Sequence, residues 1–234
     1  MSENEYNRPP EVQSPLNPLP PVIAALFLVI MGIEIILSLG ARGIIGGPTA
    51  VGWRLDAIQS YAFSGRILEW MWVNNSWPAE HLIRFVSYSF VHGNFTHAVF
   101  VGVMLLALGK VVGDVFSALA TLAVFVVSAV VGALAYGMLL TDDIPLIGGF
   151  PGVYGLIGAF TFLMWVRLGQ LGAQQARAFT LIGVLMGLQL IFGLLFGVQN
   201  DWVADVAGFG AGFLMSFVVS PGGWQAVLAR LRQG

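Results

Sequence analysis

Runs of about 20 mostly apolar residues, the length that crosses the hydrocarbon core of a bilayer, recur along the chain. They fall at 21–40, 90–109, 116–140, 146–166, 178–198 and 202–220. Polar or helix-breaking residues close the later runs: Asp142, Asp143 and Pro145, then Arg167 and Arg177, then Asn200 and Asp201. The pattern predicts an all-α polytopic membrane protein. Its membrane domain spans 20–221 and holds six helices and a long first loop, 41–89, between tails at 1–19 and 222–234. No internal repeat relates two halves, which argues against transporter folds built from paired halves.

The first loop is not plainly polar. Trp53, Trp70, Trp72 and Trp77 are interleaved with Leu, Ile and Phe across and around LDAIQSYAFSGRILEWMWV. Aromatic residues beside a span favour the headgroup zone, and amphipathic segments lie in it. The loop is therefore read as interfacial helices, the alternative being a loop packed over the helix ends.

Composition sharpens this. Hydrophobic residues make up 57% of the chain and charged residues 9%, against roughly a quarter charged in soluble proteins, so lipid is the main solvent. The net charge is -2 and the basic residues are scattered, which leaves no patch for nucleic acid. The absence of cysteine removes disulfides, thiolate catalysis and Cys-ligated metals, and nothing in the sequence calls for a cofactor. Residues 1–19 carry Pro9, Pro10, Pro15 and Pro18 with Glu3, Glu5 and Glu11, the composition of a disordered tail. They lack the basic region of a secretory signal, so the first apolar run is expected to stay as a span.

Basic residues in short loops mark the cytoplasmic side. Lys110, Arg167 with Arg177, and Arg230 with Arg232 fall on one side if six helices alternate, and the acidic connections 141–145 and 199–201 on the other. Both termini are expected to be cytoplasmic. The first loop, with Arg42, Arg54, Arg66 and Arg84, would lie outside, and loops of that length count weakly in the rule.

Ionisable residues within spans are functional candidates; here they are Glu34, His92, His97 and Asp205. Glu34, in the last third of its span, is expected to snorkel toward the headgroups, the alternative being a group facing the bundle. His81 is placed in the loop and His92 at the mouth of the bundle. A zinc-type site would need a third ligand beside the histidines, and none is better placed than Asp205, so no metal site is expected.

Three stretches resemble the rhomboid intramembrane proteases. RFVSYSFVHGNFTHAVFVG begins the second span, where rhomboids carry an Arg eight residues before a His, a second His five later and an Asn four later. Arg84, His92 and His97 match, and the Asn position holds Val101. IGGFPGVYGLIGAFTF, in the fourth span, is similar to the stretch in which Gly-x-Ser-Gly supplies the nucleophile. Gly149, Gly152, Tyr154, Gly155 and Gly158 fit it if one residue is missing after the motif, and the Ser position holds Pro151. VADVAGFGAGF, in the sixth span, looks like the family's catalytic His followed by Gly-x-x-x-Gly. Gly208 and Gly212 keep the glycines, and the His position holds Asp205.

The resemblance, over about residues 82–216, implies a rhomboid-like six-helix bundle in a bacterial cytoplasmic (inner) membrane. Proteolysis in this family uses the fourth-helix Ser, activated by the sixth-helix His, with the second-helix His and Asn at the oxyanion. A nucleophile needs a hydroxyl within reach of its base, and Pro151 has none. No Ser, Thr or Cys lies between Thr141 and Thr161, and the last histidine in the chain is His97. Val101 cannot donate to an oxyanion. Asp205 is expected to pair with His97 or the Tyr154 hydroxyl, the alternative being a hydrated residue near the outer interface.

The favoured function is a pseudoprotease that binds transmembrane segments of client membrane proteins through the groove near the second and fifth helices. One alternative is an active intramembrane serine endopeptidase with a non-standard nucleophile such as Ser87, Ser89 or Thr96. Another is a proton-linked transporter using Glu34, His97 and Asp205 along a water-filled path.

Overall fold

The structure is a computed structural model that describes residues 18–140, 144–196 and 200–221. Most of the two tails, with Arg230 and Arg232, and the loop acids Asp142 and Asp143 lie outside the described residues. The described chain is all-α, with one isolated bridge between Phe63 and Leu146. In order the helices are α1 Pro21–Ala41, α2 Trp53–Tyr61, α3 Gly65–Val73, α4 Ala79–Leu82, α5 Arg84–Ser87, α6 Phe95–Gly113, α7 Ala118–Leu139, α8 Phe150–Gln170, α9 Thr180–Phe196 and α10 Trp202–Val219.

Five of these, α1, α6, α7, α8 and α10, are long and apolar enough to cross a membrane. The fifth apolar run forms α9, 17 residues long, or about 25 Å at 1.5 Å per residue. Many outward-facing side chains on the long helices are large and apolar, Leu28, Phe100, Leu119 and Leu214 among them. Lipid accommodates such a surface.

Two helices begin later than the apolar runs suggest. The second long helix starts at Phe95 because Asn94 caps it, its Oδ1 accepting from the His97 N–H at 2.9 Å; Phe90 and Val91 belong to the preceding turn. The fourth starts at Phe150, since Leu146 is held in the bridge to Phe63. Pro151 sits in its first turn, where a missing N–H leaves no intrahelical bond unmade.

α8 is the central helix, packed on α10, α7 and α6, while α1 lies against α6. Glycines set these distances: a Cβ on Gly109 would meet Ile23 at 2.5 Å and one on Gly102 would meet Phe27 at 2.9 Å. The first loop is helical and packed on the bundle. α3 turns Leu68 and Met71 inward toward α7 and leaves Trp70 and Trp72 exposed, the arrangement of a helix lying at a membrane boundary. The described contacts of α9 are few, chiefly with α8 and the turn Gln175–Phe179 before it.

Candidate functional site

The segment between α5 and α6 is fixed from both sides. Arg84 Nη1 donates to the Ala62 carbonyl at 3.0 Å, and the Tyr88 hydroxyl donates to the Ala129 carbonyl of α7 at 2.8 Å. The Gly148 N–H donates to the Tyr88 carbonyl at 2.9 Å, tying the entry to α8 to the same turn. His92 is therefore fully buried and does not stand at an open mouth.

Its ring is held by backbone. The Gly149 N–H donates to His92 Nε2 at 3.3 Å, which requires that nitrogen to be unprotonated. Burial, reinforced by the neighbouring His97, pushes the His92 pKa down to about 4. The two imidazoles meet edge to face at 5.0 Å, and His97 stacks on Phe150 at 5.2 Å. Gly148 permits this approach: its φ is +95°, and a Cβ there would lie 2.6 Å from the His97 ring. Val101 is fully buried, with Cγ1 2.9 Å from where a Cβ of Gly149 would be. An apolar methyl thus fills the space beside the Gly149 backbone.

Below this, α8 and α10 touch backbone to backbone. A Cβ on Gly208 would collide with the Pro151 carbonyl, one on Gly212 with the Gly155 carbonyl, and one on Gly158 with Phe209 and Phe213 of α10. Pro151 is enclosed: its Cβ lies 2.8 Å from where a Cβ of Gly132 on α7 would be, as does the Ala204 carbonyl. Gly152 gives room to the Phe125 ring, and Gly155 to Ser128 of α7. Gly152, Gly155, Gly158, Gly208 and Gly212 are thus packing residues of one contact among α7, α8 and α10, while Gly149 packs toward Val101 of α6. Tyr154, on the same helix, is buried.

Asp205 is 2% exposed, so it is not a hydrated residue at the outer boundary. Its partner is neither His97 nor Tyr154: Gln189 of α9 donates from Nε2 to Asp205 Oδ2 at 2.8 Å. Glu34 departs further from expectation. It is 1% exposed and does not snorkel. Arg54 of α2 reaches both its oxygens, Nη2 to Oε1 at 2.7 Å and Nη1 to Oε2 at 2.9 Å, and Ser38 Oγ donates to Oε1 at 2.7 Å. Arg54 Nη1 also donates to the His92 carbonyl. One buried ion pair therefore joins α1, the first loop and the turn carrying His92.

The side chains named for the two alternatives have separate surroundings. Ser87 Oγ donates to the Tyr61 carbonyl at 2.9 Å, Ser89 Oγ is buried with no hydrogen-bond partner, and Thr96 is exposed. Glu34, His97 and Asp205 are each engaged by different partners, Arg54, Phe150 and Gln189. Among the described residues no group of three His, Asp or Glu side chains is placed to hold a metal ion.

Two contacts, Arg54 with Glu34 and Gln189 with Asp205, are not readable from the sequence. Gln189 was detectable only as a polar side chain within an apolar run, and Arg54 as one of four arginines in the loop.

Comparison with known families gives one assignment. The profile described as Rhomboid domain matches residues 79–222, more than half of the chain, from α4 through the end of α10. It contains Arg84, all three histidines and all the glycines of the α8–α10 contact, and it leaves out α1 with Glu34. No curated protein matches the chain.

Proposed function

The chain belongs to the rhomboid family, and we propose that it acts there as a pseudoprotease that binds transmembrane segments of other membrane proteins. The observation that carries this is the surroundings of Pro151. The position aligned with the family's nucleophile holds a residue without a hydroxyl, closed in by Gly132, Ala204 and Gly208. No imidazole occurs beyond His97, so no base of the family's kind stands on α10. Asp205, at the aligned base position, is occupied by Gln189, a contact between helices instead of a proton relay.

Binding is the function compatible with what remains. Helices in a bilayer associate through close packing and interhelical hydrogen bonds, and the exposed Val184, Leu188 and Ile191 of α9 offer a flank on which a guest helix can lie. We place both termini on the cytoplasmic side from the distribution of Lys110, Arg167 and Arg177, and take a bacterial cytoplasmic membrane from the family resemblance.

Photo-crosslinkers placed in α9 at Val184 and Leu188, which are exposed, test the reading in native membranes. Capture of uncleaved membrane proteins through their transmembrane segments is expected. Only lipid at both positions, or captured proteins cut within the span, would count against it.

A further inference from the structure

Outside the bundle, the first loop contains a recess of about 430 Å³ lined by Ser60, Tyr61, Glu80, His81, Ile83 and Arg84. Its wall is charged in two senses. Arg84 uses Nη1 on the Ala62 carbonyl, while its Nε is buried without a hydrogen-bond partner, as is Nδ1 of His81. Glu80 is exposed, and no salt bridge joins it to Arg84. Two hydroxyl side chains, Ser60 and Tyr61, complete the polar lining. Unmet donor capacity of this kind costs free energy unless a ligand or water answers it.

The setting identifies the ligand. Trp70, whose ring meets His81 edge to face at 5.6 Å, is exposed, and so are Trp72, Trp77, Leu82 and Ile83. Exposed tryptophans beside membrane spans sit at headgroup depth. We propose that the recess binds a phospholipid head group that joins a phosphate to a primary ammonium, phosphatidylethanolamine being the simplest. The phosphate lies at Arg84, whose planar guanidinium suits it, and the ammonium lies at Glu80. The acyl chains follow the exposed Leu82 and Ile83. This site rests on membrane residence alone and is independent of client binding and of proteolysis.

The test uses the full chain in nanodiscs with equal amounts of palmitoyl-oleoyl phosphatidylethanolamine, phosphatidylcholine and phosphatidylglycerol, with retained lipid read by native mass spectrometry. Ethanolamine lipid should be retained about fivefold over choline lipid, the strength of one exposed ion pair, because a quaternary ammonium has no N–H for Glu80. Glu80→Gln, at an exposed position, should bring the ratio to parity with an unchanged thermal midpoint. Soluble glycerophosphoethanolamine in millimolar excess distinguishes the source: it should leave retention intact, since the chains hold the lipid. Displacement by it would place recognition in a free phosphate compound and overturn the lipid assignment. Equal retention of all three lipids, preference for the glycerol lipid, or an unchanged ratio in Glu80→Gln would overturn the site.

Discussion

Glu34→Gln removes the charge at the centre of the contact between α1 and the first loop. The carboxylate accepts three hydrogen bonds, two of them from Arg54, and is 1% exposed. Removing one partner of a buried ion pair destabilises by about 3–5 kcal/mol, mostly because the other charge is left buried. Arg54 is 18% exposed and keeps its bonds to the His92 carbonyl and to Ser38 Oγ. The expectation is therefore the lower end, about 3 kcal/mol, for Glu34→Gln, and the upper end, about 5 kcal/mol, for Arg54→Met, which leaves the carboxylate buried without its counter-charge. The double variant Glu34→Gln with Arg54→Met leaves no orphaned charge, and the two changes should couple by at least about 1.5 kcal/mol. Equilibrium unfolding in mixed micelles, run as a double-mutant cycle, measures all of this. If each single change costs under about 0.5 kcal/mol, as surface ion pairs do, Glu34 is in contact with solvent and the buried clamp is wrong.

Gly212→Val places side-chain atoms against the Gly155 carbonyl and should destabilise by about 3 kcal/mol, the upper range for overpacking; an unchanged melting midpoint would mean that α8 and α10 stand further apart. Gln189→Leu takes the donor from buried Asp205 and should lower stability by about 1–3 kcal/mol, with much of it recovered on adding Asp205→Leu, which is read in the same unfolding assay. His92 is pushed down to about 4 from about 6.5 in an unfolded chain, so the unfolded state binds the proton first and stability is lost as pH falls through that window. The 2.5-unit difference corresponds to about 3 kcal/mol. The check is a comparison: His92→Asn should flatten the pH 4 to 6.5 slope relative to the unmodified chain.

The helices were legible because an apolar run of membrane length reports itself without reference to any partner. Their starts were less so. Phe90, Val91, Leu146 and Ile147 are apolar and extend the runs, yet they lie in the turn and the bridge segment that precede α6 and α8. The Asn94 cap was a usable signal that apolarity masked. The glycines of α8 and α10 were found through the family pattern, and the structure gives their reason in backbone contact. The polar pairs were not legible, since they depend on contacts between distant segments. Glu34 meets a residue 20 positions away in a loop, and Asp205 meets one 16 positions away on the neighbouring helix. From sequence alone, an acid near a helix end reads as snorkelling; only the packing of α2 over α1 makes it an internal ion pair.

On the proposed reading, the family scaffold persists without a nucleophile. A fluorophosphonate probe, applied to the purified chain in lipid beside an active rhomboid as a positive control, tests this most directly. No labelling above that of heat-denatured protein is expected. Labelling that disappears when one serine is replaced, Ser89→Ala being the first to try because its hydroxyl is buried and unpartnered, would show an activated nucleophile and contradict the account.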